Sequence, residues 1–163
     1  MCGFVLAHFQ DSRNVVNKQK VLSDSCEKYI RTRGPTYQES YTSETLFCYQ
    51  SILSIQGDKI RGTKTEPVGS KKFVLYNGEI YNYPNNNKSS SDTEILNDQH
   101  NNNNIGVFLN NIDGMYAICA VERINEEQNI IDLYRDLAGE KHLWYLYNKE
   151  VLLVSSIPAI IID

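Results

Sequence analysis

The stretch that decides the fold is the first one, Met1–Phe9, "MCGFVLAHF". A thiol at position 2 is followed by a glycine and a β-rich apolar run over 3–9, which reads as a strand. Cys2 has two readings. It is a small hydrophobe at the frayed start of that strand, or it is a nucleophile exposed when the initiator methionine is trimmed, as happens before a small second residue. In the second reading the nucleophile carries its own base, because an unperturbed α-amine titrates near about 7.7 to 8.0 and can accept the thiol proton. A Cys2–His8 dyad is excluded within one strand, since six residues of strand span about 20 Å. His100, in an Asn-rich stretch, and His142, beside an aromatic run, have spacings that implicate neither; surface or packing roles suffice for both.

Working outward, "VLSDSCEKYI" places Val21, Leu22, Cys26, Tyr29 and Ile30 at spacings of three and four and predicts an amphipathic helix, which Gly34 and Pro35 in "TRGPT" end. "ETLFCYQ", "ILSIQ" and "KFVLYN" read as β-rich segments and as neighbouring strands. "NYPNNNKSSSD" and "HNNNN" are polar, low-complexity stretches expected on the surface as loops. Between them Ser91 stands three residues before Glu94, a capping box that starts a short helix near Asp92, and "IGVFLNN" suggests another. "GMYAICAVE", "NIIDLYRD", "HLWYLYN" and "EVLLVSS" then read as an antiparallel meander. Strands, helices and strands again predict an α+β fold with two packed sheets.

With 163 residues, one domain spanning 1–163 is expected, and nothing repeats internally. A net charge of −4 without a basic stripe argues against nucleic acid. No apolar run approaches a membrane span or a signal-peptide core, so no membrane is expected and the cytoplasm is the default. The four cysteines, Cys2, Cys26, Cys48 and Cys119, form no C-x-x-C; neither a metal site nor a disulfide scaffold is indicated, and the last three read as buried small hydrophobes.

A thiol attacking a carbonyl needs donors for the oxyanion, and "FVLYNGEIYNY" offers them in Asn77 and Gly78, with Glu79 following. Asn-Gly between alternating apolar residues is equally the signal of a two-residue type I′ hairpin. Taken in order, "MCG", "RGP", "LSI", "NGEIYNY", "SDTE", "IDGMYAICAVE", "YRDLAGEKHLWY" and "LLVSS" resemble the class II glutamine amidotransferase domain. The likeness is greatest to the glutaminase half of glutamine-hydrolysing asparagine synthetases and covers essentially the whole chain. It implies the N-terminal-nucleophile fold, a four-layer sandwich with two antiparallel sheets between helices. It implies glutamine hydrolysis without a cofactor: Cys2 attacks the side-chain amide, its α-amine moves the proton, Asn77 and Gly78 form the oxyanion hole, and water cleaves the thioester. Glu79 and Asp92, with the backbone around Ile52, Leu53, Ser54 and Ile55, would hold the substrate's α-amino end.

Three features depart from the family's pattern. Ile52 stands where an arginine usually grips the glutamine carboxylate, Thr36 replaces the aspartate that commonly follows "RGP", and the segment before "SDTE" is short. Arg33 and Arg61 are the candidate replacement cations. No Gly-rich phosphate loop occurs, so ATP-dependent synthesis is not expected. A free-standing glutaminase, or a subunit passing ammonia to a separate synthetase docked at the apolar tail Ile157–Ile162, is the reading that follows. An amidohydrolase for an amide without a carboxylate end and a non-catalytic binding or regulatory descendant are the alternatives. Packing of the tail back onto its own sheet is the alternative to docking.

Overall fold

Phe4, Val5, Leu6 and Ala7 are wholly buried in consecutive positions. Successive side chains of a strand point to opposite faces, so such a strand must be covered on both. The computed structural model describes residues 2–10, 14–53, 68–82 and 91–162 and supplies both covers. In chain order it contains β1 (Gly3–Phe9), α1 (Val15–Tyr29), a 3-10 turn (Arg31–Arg33), β2 (Tyr37–Thr42), β3 (Leu46–Ile52) and β4 (Lys72–Ile80). There follow α2 (Asp92–Asn101), α3 (Ile105–Leu109), β5 (Gly114–Arg123), β6 (Asn129–Arg135), β7 (Trp144–Tyr147), β8 (Val151–Ser155) and α4 (Ala159–Ile162). Two antiparallel sheets form, β2-β3-β1-β8-β7 and β4-β5-β6.

One face of β1 (Phe4, Leu6) meets Phe73 and Leu75 of β4 and Cys119 and Val121 of β5, making the core between the sheets. The other face (Val5, Ala7, Phe9) packs with Phe47 and Tyr49 against Cys26 and Ile30 at the end of α1 and against Ile157 and Ile160 around α4. Outside the smaller sheet, Val74, Tyr76 and Ile118 pack against Leu96 of α2 and Ile105 and Leu109 of α3. The layers run helix, sheet, sheet, helix, the α+β sandwich expected from the sequence. Cys26, Cys48 and Cys119 are fully buried, as their residue type suggested.

The capping box is present as read: Glu94 N–H donates to Ser91 Oγ and Ser91 N–H to Glu94 Oε2. Val21, assigned to the apolar face of α1, is 64% exposed; five residues at about 100° each put it some 140° round the helix from Cys26. β4 is not a neighbour of β3 but begins the other sheet. The four last strands are likewise two hairpins, β5–β6 and β7–β8, in different sheets rather than one meander. Alternation tells which side of a strand is buried and is silent on which sheet it joins. β2, "YQESYT", was not anticipated, because a half-exposed edge strand carries too few apolar residues to declare itself. His100 ends α2 rather than lying in a loop, and it is buried with Nε2 2.9 Å from the Val121 carbonyl oxygen. The C-terminal apolar segment packs back, leaving Ile162 exposed. No helix among the described residues is long and apolar enough to cross a membrane.

Candidate functional site

Strand register locates one open end of the inter-sheet core. Leu6 pairs with Cys48, Cys48 and Cys119 lie close enough to feel each other's charge, and Cys119 pairs with Leu75. Moving from that level, the row Leu6 and Phe4 on β1, continued by Cys2 just before the strand, and the row Leu75, Asn77, Glu79 on β4 run out toward the same rim. β1 and β4 pack against each other across the sandwich. The sequence therefore brings a thiol, a carboxamide and a carboxylate to the mouth between two sheets.

Cys2 is held there from β3: Leu53 N–H donates to its sulfur at 3.4 Å, and the thiol lies 3.9 Å from the Leu53 carbonyl oxygen. Burial pushes the Cys2 thiol up from its ordinary value, opposed by the Leu53 hydrogen bond and by charges that include Lys141 and Arg33. The resting group is therefore a thiol that needs a base. Arg33 lies alongside, its Nε donating to the Cys2 carbonyl oxygen at 3.4 Å. The "RGP" segment reaches this point because Gly34 lies flat against β3: a Cβ there would come within 2.4 Å of the Ile52 nitrogen. Ile52 is half-buried at the end of β3 and accepts Thr36 N–H through its carbonyl at 3.1 Å. Ser54, Ile55 and Arg61 lie outside the described residues, as does the 83–90 segment.

Asn77 and Gly78 are not a hairpin turn; they sit inside β4, opposite Ala117 and Tyr116 of β5. Tyr116 turns both its N–H and its C=O away from β4, to Asp136 Oδ2 at 3.2 Å and from Asp136 N–H at 2.9 Å. In an antiparallel ladder this makes Gly78–Tyr116 a non-hydrogen-bonded pair, so the Gly78 N–H points off the free edge of β4. The same edge orients Val74 N–H to Asn97 Oδ1 and Ile80 N–H to Asp92 Oδ2, while the ladder leaves that of Gly78 unpaired. Only glycine fits, since a Cβ would stand 2.2 Å from the Met115 carbonyl oxygen. Asn77 is 2% exposed and its Oδ1 is buried without a partner. A buried carboxamide oxygen without a donor is costly.

Glu79 is exposed at the rim. Asp92, the first residue of α2, accepts from Ile80 N–H at 3.0 Å and from the Tyr76 hydroxyl at 3.2 Å. Burial raises its carboxyl above the ordinary aspartate value, with those two hydrogen bonds opposing. Tyr76, not singled out in the sequence, is raised strongly by burial and by the Asp92 carboxylate its hydroxyl donates to, and more weakly by Cys2. Asp136 was also missed, although "YRDLAGEK" carries its signal, an aspartate three residues before a glycine. It is 4% exposed and accepts from Tyr116, Glu140 and Lys141 N–H groups. Burial alone would raise its carboxyl, but these backbone donors hold it below the usual value. A groove of about 580 Å³ beside α3 and β6, lined by Val107, Tyr116 and Tyr134 among others, contains none of the predicted site residues.

The fold agrees with the family comparison. Residues 1–163 match the model of the glutamine amidotransferase domain, and the chain belongs to that family. It is similar to a probable glutamine-hydrolysing asparagine synthetase of Acanthamoeba polyphaga mimivirus, 28% identical over 167 residues that cover 94% of this chain and 29% of that protein. The chain thus spans under a third of the length of this relative.

Proposed function

We propose that the chain is a glutaminase that hydrolyses the side-chain amide of glutamine through a Cys2 thioester. Removal of Met1 leaves the Cys2 α-amine free. The amine takes the thiol proton, the sulfur attacks the amide carbon, and the Asn77 carboxamide and Gly78 N–H receive the oxyanion. Ammonia leaves with the proton returned from the amine, and a water molecule, deprotonated by the same amine, cleaves the thioester to glutamate. Glu79 and Asp92 meet the substrate ammonium, beside backbone of the Ile52–Ile55 segment. The unpaired Gly78 N–H on the same rim as the Cys2 thiol is the observation that carries this reading.

Amide hydrolysis needs neither ATP nor a metal, so glutamate and ammonia are expected in equal amounts without either. Passage of the ammonia to a separate synthetase, in a cytoplasmic setting, belongs to the same proposal. The test is ammonia release by protein whose intact mass shows Met1 removed. Cys2→Ala is expected to abolish it, and protein retaining Met1 to be inactive, because an amide nitrogen cannot act as base. Equal turnover with Met1 retained would sink the mechanism. Ile52 favours a second reading, an amide substrate without a carboxylate end, which the same assay separates by showing no glutamine turnover.

A further inference from the structure

Lys141 is 9% exposed, an unusual burial for a lysine, and among the described residues no hydrogen bond or ion pair engages its ammonium group. Its backbone is fixed at both sides of the candidate site. Lys141 N–H donates to Asp136 Oδ2 at 3.0 Å, and the same oxygen accepts Tyr116 N–H, directly across the ladder from Gly78. Two residues on, Leu143 packs into the inter-sheet core, and Trp144 pairs with Ser155. The next residue, Ser156, accepts the Phe4 N–H at 2.9 Å, two positions from Cys2. The 136–143 crossing between the sheets thus carries Lys141 to the rim where Cys2, Asn77 and Glu79 meet, and its charge is felt at the Cys2 thiol. The stem is buried while the ammonium, which is not among the buried polar atoms left without a partner, ends it in reach of solvent with no anion opposite it among the described residues, the placement of a cation open to an incoming anion. Ile52 supplies no cation, and Arg33 Nε is already directed to the Cys2 carbonyl oxygen.

We propose that Lys141 is the specificity residue that receives the α-carboxylate of the amide substrate, in place of the arginine absent at position 52. This rests on the glutamine reading, and the experiment separates the two. Binding is measured by titration calorimetry on Cys2→Ala protein, which turns nothing over, with L-glutamine and with 4-aminobutanamide, which lacks only the carboxylate. Glutamine is expected to bind the more tightly. In the same background Lys141→Met should weaken glutamine by about ten- to a hundredfold, the loss of a charge-assisted contact, while leaving 4-aminobutanamide unchanged. Lys141→Arg should restore part of the glutamine affinity. Lys141→Gln serves if the Met variant has a lowered melting temperature.

Unchanged glutamine affinity in a folded Lys141→Met or Lys141→Gln variant, or equal weakening of both ligands, would overturn the assignment. So would 4-aminobutanamide binding as tightly as glutamine to the Cys2→Ala protein, which leaves an amidase of a different substrate. Binding of neither ligand overturns both this inference and the glutamine reading. A selective loss in Lys141→Met together with a wild-type protein that releases no ammonia keeps Lys141 and discards only the thioester chemistry.

Discussion

Asn77 is buried in β4 beside Gly78, and the group it would offer an oxyanion is its Nδ2–H, since the carboxamide oxygen can only accept. In the proposed mechanism Asn77→Ala removes one oxyanion donor and should lower kcat about 10²- to 10³-fold. The glutamine KM and the melting temperature should change little, because a donor to the oxyanion acts in the transition state and among the described residues the carboxamide oxygen has no partner to lose; a collapse in stability would mark Asn77 as structural. Asp92 gives a pH signature. Burial raises its carboxyl, so on acidification it takes up its proton at higher pH than an ordinary aspartate near 3.9. Its ammonium-binding charge is lost correspondingly early, and KM for glutamine should rise on the acid side above the ordinary carboxylate range. The Asp92→Asn variant should have a high KM already at neutral pH and lose that acid limb. On the alkaline side kcat/KM should climb as the α-amine, near about 7.7 to 8.0 when unperturbed, loses its proton and becomes able to accept one.

Among the elements, β4 shows how much the sequence could disclose. "NGE" announced donors and an acid, but the Asn-Gly pair suits both a tight turn and an extended edge that something approaches closely. The choice is made by the Met115 carbonyl and Tyr116, residues far along the chain that leave no space for a Cβ at 78. Local patterns disclosed β1 through its apolar β-rich run, although its pairings with β3 and β8 are distant, and the α1 helix and the capped α2, whose backbone bonds close within a few residues. Sheet membership of β4 and the split of the last four strands rest on pairings between distant segments, which alternation does not encode. The role of the crossing at 136–143 was hidden for the same reason: Asp136 is defined by the N–H groups it collects from Tyr116, Glu140 and Lys141. Asp136→Asn should therefore lower stability at neutral pH by about 1 to 3 kcal/mol. With a carboxyl held below its unfolded value near 3.9, the wild-type stabilisation is present above that pH and lost as pH falls toward the folded value. The melting-temperature gap between the two proteins should be full at pH 7 and narrow below about pH 4, whereas a gap independent of pH would place the effect in shape rather than charge.

At the scale of the whole molecule, the four layers sort four cysteines into one at a rim, two in the core between the sheets and one beneath α1. Cys48 and Cys119 lie between the sheets and Cys26 lies under α1 against the larger sheet, all wholly buried, while Cys2 is partly open. Burial, reinforced by Glu27, pushes the Cys26 thiol up to about 12, and burial between the sheets likewise raises Cys48 well above its ordinary range. Thiolate is the reactive form, so these three are protected twice, by access and by protonation. An alkylating reagent applied to the native protein is expected to label Cys2 in a first, fast phase. The other three should react only as the sandwich opens, at rates that follow global unfolding and rise together with denaturant. A single phase for all four thiols in the absence of denaturant would contradict the layered core. Fast labelling of Cys26 alone would show instead that α1 opens independently of the two sheets, and would make the helix on the Gly3 side of the rim, rather than the inter-sheet core, the part that moves when a substrate enters.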